Sequence, residues 1–365
     1  MRQAKSGVDK SMKPKFGIIE GYFGRSWDWD ARAAVVTQLA PAGFGFFHYA
    51  PKIDAKLRRD WRVVHDAPET AALSTFAAHC RTAKVRFGVG LTPYGAHLDF
   101  NGEAKAALKA KLAHLDSIGL DDLAILFDDM RGDFDDLAQR QAEIVAFCLD
   151  HSKAARFFMC PSYYSNDPVL DRVFGMRPAR YLETLGQLID AHVAVYWTGE
   201  EVCSAEYSKG HLAAISEQLG RKLALWDNYP VNDGPRMSNH LHLRGFTGRP
   251  ADIGKYVSHH AINPASQPML SCIPALTLAD SYAQGSAYQY GAAFYQAACK
   301  VAGQELADML RADMLSFQDS GLDRLGERTA KLRAKYAGVD HPIAREVVDW
   351  LDGGYVITGE MLQTQ

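Results

Sequence analysis

Eight short apolar runs recur along the 365-residue chain, at 16–20, 44–49, 86–91, 124–127, 157–160, 193–197, 223–226 and 256–262, each ending in polar or turn residues. Their starts lie about 30 to 40 residues apart, the length of one βα unit. The runs are apolar on both faces, as strands of a parallel sheet covered by helices should be. The segments 29–39, 69–83, 103–117, 134–151, 179–191 and 209–219 carry apolar residues at spacings of three and four and are predicted as helices. Pro68 and Pro178 are expected just inside two helix starts, where the missing N–H costs nothing. Eight strand-like runs with helical segments between them predict a (β/α)8 TIM barrel rather than an open doubly wound sheet. A dinucleotide fold would need GxGxxG directly after a strand, whereas Gly88-Val89-Gly90 lies inside the third run and lacks the third glycine.

The expected organisation is a loose tail over 1–15, a catalytic barrel over 16–285 and a C-terminal helical extension over 286–365. The tail is basic and polar with no apolar stretch, unlike a secretory signal. In the extension the charged amphipathic segments 305–317 and 325–336 read as helices, surfaces through which the chain could self-associate. Forty basic against 43 acidic residues give a formal charge of −3, no electrostatic footprint for nucleic acid or an anionic membrane. No run reaches the roughly 18 apolar residues of a membrane span. Six cysteines without a CxxC pair fit reduced thiols in a cytoplasmic protein. His240-Leu241-His242 and His259-His260 come without HExxH or a carboxylate at ligand spacing, so neither a metal nor another cofactor is expected.

In a barrel, polar residues at the C-terminal ends of different strands converge on one mouth. Asp128 and Asp129 close the fourth run. Neighbouring carboxylates cannot both ionise cheaply, so their surroundings can leave one as a proton donor and the other as an anion; the plainer alternative is a helix cap. Around them the strand ends supply Gly21, Lys52, Tyr164, Trp197, Trp226, Asn228, Asp233 and Asn263. For several of these a structural role is the alternative: Trp197 and Trp226 as rim filling, Lys52 as a partner of Asp54. Aromatics and neutral hydrogen-bonding groups around one acid pair suit a sugar, whose C–H faces stack on rings while its hydroxyls need placed donors and acceptors. A phosphate would ask for more positive charge.

The motifs at 17–24 (GIIEGYFG), 49–52 (YAPK), 127–129 (FDD), 160–164 (CPSYY), 197–199 (WTG), 226–233 (WDNYPVND) and 263–264 (NP) stand in an order that resembles glycoside hydrolase family 84, the O-GlcNAcase or β-N-acetylglucosaminidase family. The likeness spans about 16–285. It implies hydrolysis of terminal β-linked N-acetylglucosamine with retention, the substrate's own acetamido group acting as nucleophile through an oxazoline, on a GlcNAc-containing glycoside or glycoprotein, with no cofactor. By this resemblance Asp128 would polarise the acetamido group and Asp129 would serve as acid and then base. Gly21, Lys52, Asn228, Asp233 and Asn263 would grip the sugar, and Tyr164 and Trp226 would wall the acetamido pocket. Ser162-Tyr163 stands where the animal enzymes carry Thr-Glu, and Tyr22-Phe23 reverses a common order; both bear on the leaving-group side and on specificity. Two other readings are a chitinase- or hyaluronidase-like enzyme on polymeric glycans, for which the DxxDxDxE signature is missing, and a non-catalytic GlcNAc-binding barrel.

Overall fold

Eight parallel strands close on themselves in sequence order: β1 (Lys15–Glu20), β2 (Phe44–Tyr49), β3 (Arg86–Leu91), β4 (Asp122–Leu126), β5 (Arg156–Cys160), β6 (Ala194–Trp197), β7 (Leu223–Asp227) and β8 (Val257–Ile262), with β8 pairing back onto β1. The computed structural model describes residues 13–364. Most of the tail expected over 1–15 therefore lies outside the described residues, and Lys15 already belongs to β1, where it pairs with His259. β4 and β7 are buried along their whole length, as both-face burial in a parallel barrel requires.

The outer layer comprises α1 (Trp29–Leu39), α2 (Ala67–Thr82), α3 (Gly102–Ile118), α4 (Leu137–His151), α5 (Pro168–Phe174), α6 (Tyr181–Leu188), α7 (Lys209–Leu219) and α8 (Pro268–Gln284). Local chemistry sets their starts. Asp28 accepts from Ala31 N, and Asp66 and Glu69 form a reciprocal capping box with Pro68 in the first turn of α2. Pro178 does not sit inside a helix: Arg180 takes a left-handed φ of 54°, so α6 begins only at Tyr181 and is shorter than the apolar spacing suggests. No α-helix links β7 to β8; a long loop with short 3-10 turns makes that crossover.

Rings fill the barrel. His48 and Tyr196 each pack on Phe158, with centroids 4.6 and 5.4 Å away, and Tyr196 in turn meets Trp226 edge-on at 5.4 Å. The stack runs from the interior to the mouth, so Trp226 is held from below. Truncating one of these rings would cost about 3–5 kcal/mol through lost burial and the cavity left behind.

Beyond α8 come α9 (Tyr290–Ala302), α10 (Gln304–Met314), α11 (Leu322–Leu325), α12 (Arg328–Ala337), α13 (Pro342–Leu351) and α14 (Gly359–Thr364). The helix expected over 305–317 passes into a π-helical turn at Leu315–Ser320, and the one expected over 325–336 is broken at Gly326, whose φ of 53° ends α11. α13 is keyed to the barrel by buried polar contacts. Glu346 accepts from Met269 N and Leu270 N at 2.8 and 2.9 Å, capping α8, and the Trp350 indole donates to Ser238 O at 3.1 Å. Among the described residues no helix is long and apolar enough to cross a membrane.

Candidate active site

A cavity of about 260 Å³, at the small end for a ligand site, opens at the C-terminal ends of the strands. Its lining brings together nine of the ten strand-end residues singled out in the sequence: Gly21, Lys52, Asp128, Asp129, Tyr164, Trp226, Asn228, Asp233 and Asn263. Trp197 is elsewhere, fully buried with its indole N–H donating to His211 Nε2 at 2.9 Å, so it has the structural role.

The acid pair reaches one cavity through a backbone device. Neighbouring residues of an extended strand point to opposite faces. Phe127 N still donates to Cys160 O at 2.9 Å, as in the sheet, but Asp129 has a φ of 58° in the left-handed region. That conformation costs a non-glycine residue about 1–2 kcal/mol and is tolerated best by Asp and Asn; here it accompanies both carboxylates at the same mouth. Neither caps a helix, since Asp136 stands at the N-cap position of α4.

Asp128 is 5% exposed and its Oδ2 is bonded to the Lys52 ammonium. Its Oδ1 is buried with no hydrogen-bond partner. Burial alone would push this carboxyl up, but the charges of Lys52 and then Arg58, with the Lys52 hydrogen bond, outweigh it and hold the group below its ordinary value. Asp128 is thus an anion with one oxygen left to offer a donor. Asp129 is more open, with 27% of its side chain exposed; Lys52 Nζ lies 3.9 Å from its Oδ2, and Tyr164 donates to its Oδ1 at 3.0 Å. Burial, then the Asp129 charge, pushes the Tyr164 phenol well up, so it remains a donor. Lys52 does not pair with Asp54, which instead meets His65 Nε2 at 3.0 Å and the Tyr49 hydroxyl at 3.1 Å.

The opposite wall is a continuous hydrogen-bonded arc across β1, β8 and β7. Gly21 N donates to Asn263 Oδ1 at 3.2 Å, Asn263 Nδ2 to Asn228 Oδ1 at 2.9 Å, and the Trp226 indole to the same oxygen at 3.1 Å. Position 21 must be glycine, because a Cβ there would stand 2.3 Å from the Trp226 ring. Asp233 accepts from Phe23 N at 3.0 Å, and burial pushes its carboxyl up to about 6. Behind this wall Asp227 is fixed by Arg249 and by His260 Nε2, at 2.7 and 2.9 Å. His260 thus faces away from His259, which packs inside the barrel against Phe46 and Phe158, so this histidine pair shares no face.

Several neighbours of the site were not anticipated. Val202, Cys203 and Leu362 line the cavity, and Arg58 adds charge near Asp128. Arg58 carried a weak signal, as one of several cations in the loop that holds Lys52, with Lys56, Arg59 and Arg62. Val202 and Cys203 lie beyond the β6 end in an irregular stretch, and Leu362 is far from any strand end.

A sequence model of the beta-N-acetylglucosaminidase family, NAGidase, matches residues 16–315. Among curated proteins, the Protein O-GlcNAcase of Mus musculus and that of Rattus norvegicus are each 26% identical over 276 residues, 73% of this chain and 30% of theirs. The chain thus spans under a third of the length of those relatives. Among solved structures, a mutant O-GlcNAc hydrolase of Thermobaculum terrenum superposes with a TM-score of 0.78 at 24% identity, covering 94% of this chain and 82% of that one. CpGH84B gives 0.75 at 21% identity, covering 94% and 66%. At such identity the two structures speak for the shared fold. With a family match running through the barrel and into α10, and the strand-end residues gathered in one cavity, the chain belongs to the beta-N-acetylglucosaminidases of glycoside hydrolase family 84.

Proposed function

We propose that this protein is a retaining exo-β-N-acetylglucosaminidase that removes terminal β-linked GlcNAc by substrate-assisted catalysis. The observation that carries the reading is the state of Asp128: one oxygen taken by Lys52, the other buried and unpartnered beside Asp129. A buried acceptor left empty costs about 1–3 kcal/mol unless a ligand supplies the donor. An acetamido N–H is such a donor. Held by Asp128, the acetamido group turns its carbonyl oxygen on C1; that bond forms as the C1–O bond to the leaving group breaks, and Asp129 gives the departing oxygen its proton. The ring so formed is a protonated oxazoline whose N–H stays on Asp128. Water then attacks C1 as the C1–O bond to the acetamido oxygen breaks and restores the acetamide, Asp129 takes the water's proton, and two inversions give net retention. No enzyme nucleophile is required, as in other substrate-assisted glycosidases. The Tyr164 hydroxyl steadies Asp129 through both steps, and Trp226 offers a face to the sugar.

On this reading Gly21, Lys52, Asn228, Asp233 and Asn263 bind the ring hydroxyls, residues 16–285 carry the chemistry and 286–365 buttress them. O-GlcNAc on protein serine or threonine is the substrate class suggested by the names of the mammalian relatives. Free thiols throughout the described residues accord with a cytoplasmic setting. The test is turnover of a fluorogenic aryl β-N-acetylglucosaminide, with the anomer first released read by NMR. Initial β-anomer is expected. Initial α-anomer would rule out retention, and binding without turnover would make this a GlcNAc-binding barrel.

A further inference from the structure

Leu362 of α14 lines the same cavity as the two aspartates, although it comes almost a hundred residues after Asn263. The segment leading to it is tied down on one side of the mouth. Tyr355 and Ile357 are buried, Ile357 N donates to Ser238 Oγ at 3.1 Å, and the Arg25 guanidinium sits 5.2 Å from the Tyr355 ring. Gly24 makes room for this packing: a Cβ there would come within 2.1 Å of Ile357 Cδ1. Gly24 and Arg25 belong to the loop after β1, and Ser238 to the loop after β7. Those are the two loops that Phe23 N and Asp233 join at 3.0 Å.

In a closed eight-stranded barrel ordered β1 to β8, β1 lies across from β5 and next to β8. Asp129 and Tyr164, which follow β4 and β5, therefore face the mouth from the side opposite the anchors of 355–362. With the leaving group departing at Asp129, the anchored segment lies toward the other end of the cavity, the side on which Asp233 is held by Phe23 N. Resting on the function proposed above, we infer that segment 355–362 is a strap across the non-reducing end of the sugar pocket, with Leu362 the specificity-determining residue that admits an unsubstituted terminal GlcNAc and excludes one extended at O4 or O6. A leucine suits that task, because its side chain fills the volume that a group on O4 or O6 would need, and an apolar wall also leaves the hydroxyls of a further sugar unpaired.

The test compares an aryl β-N-acetylglucosaminide with its 4-O-propyl and 6-O-propyl derivatives, none of which can be trimmed first by exo action. Leu362→Ala is expected to raise kcat/KM for at least one propylated substrate relative to the parent by about tenfold, the scale of one to two methylenes in an apolar pocket. Leu362→Trp should move the same ratio the other way and raise KM for the parent. Opposite shifts from two substitutions at one site are not produced by partial unfolding. A ratio unchanged in both variants, with the wild-type chain hydrolysing the parent, overturns the strap and leaves the glycosidase reading intact. A wild-type chain that does not turn over the parent overturns both.

Discussion

Strand β4 has a buried aspartate near each end, and the two are treated in opposite ways. Asp122, where the strand begins, is fully buried and saturated: Arg86 Nε lies 3.0 Å from both of its oxygens and His48 Nε2 lies 3.2 Å from Oδ2. Asp128, just past the other end, keeps Lys52 on one oxygen and nothing on the second. Both carboxyls are held below their ordinary value against burial, Asp122 chiefly through His48 and Arg86, Asp128 through Lys52 and Arg58. One end of the strand therefore spends its polar contacts on the fold. The other leaves a carboxylate oxygen without a donor, which is what a site that binds an N–H needs; at the Asp122 end both oxygens are taken, and the buried atom without a partner is a donor, Arg86 Nη2.

Asp128→Asn should give the largest effect that tests this contrast. Loss of the anion that grips the acetamido group is expected to lower kcat/KM on the order of a thousandfold for good and poor leaving groups alike; near-wild-type rates would remove Asp128 from the mechanism. Asp122→Asn should instead act on stability, by about 3 kcal/mol in urea unfolding, because the buried His48 and the half-buried Arg86 are left beside a neutral group. The kcat of the folded fraction should stay near wild type, and a large fall would mean that the two ends are not separable. The sign with pH follows from the lowered carboxyl: the Asp122 contribution is complete above its unfolded value near 3.8 and is lost as pH falls through the folded one, so variant and wild type should converge in acid.

Asp129→Asn is expected to cost about a hundredfold with a poor leaving group and under about tenfold with a good one, since proton donation matters least when the departing oxygen is already a weak base. Equal losses would deny Asp129 the acid role. The smallest effect concerns Asp233, raised to about 6 by burial, with the Phe23 N–H and Lys52 pulling it down and Asp129 pushing it up. Its anion is the better acceptor for sugar hydroxyls, so KM should fall several-fold as pH rises through about 6. Asp233→Asn should flatten that limb; a limb that persists belongs to another group.

Much of the site was legible because barrel chemistry is written at strand ends. The runs ending at Glu20, Cys160 and Trp226 could be placed from apolar patterning, and once eight strands close, their ends have nowhere to go but one rim. Pairing was less legible. Asp54, two residues from Lys52, was a reasonable partner on local grounds, yet it is taken by His65 and Tyr49 while Lys52 crosses to β4. Helices around prolines and glycines were blurred: Pro274 lies inside α8, and Gly326 splits what the apolar spacing joins.

The chain by itself determined the elements and which residues could meet at the mouth, because strand period, helix caps and apolar spacing act over a few residues. Tertiary structure decided which charge each carboxylate meets, which oxygen of Asp128 stays unpartnered, and that Leu362 reaches the pocket from α14. Those outcomes depend on barrel closure and on the docking of α13 through Glu346 and Trp350, contacts between residues far apart in the chain that no local pattern encodes.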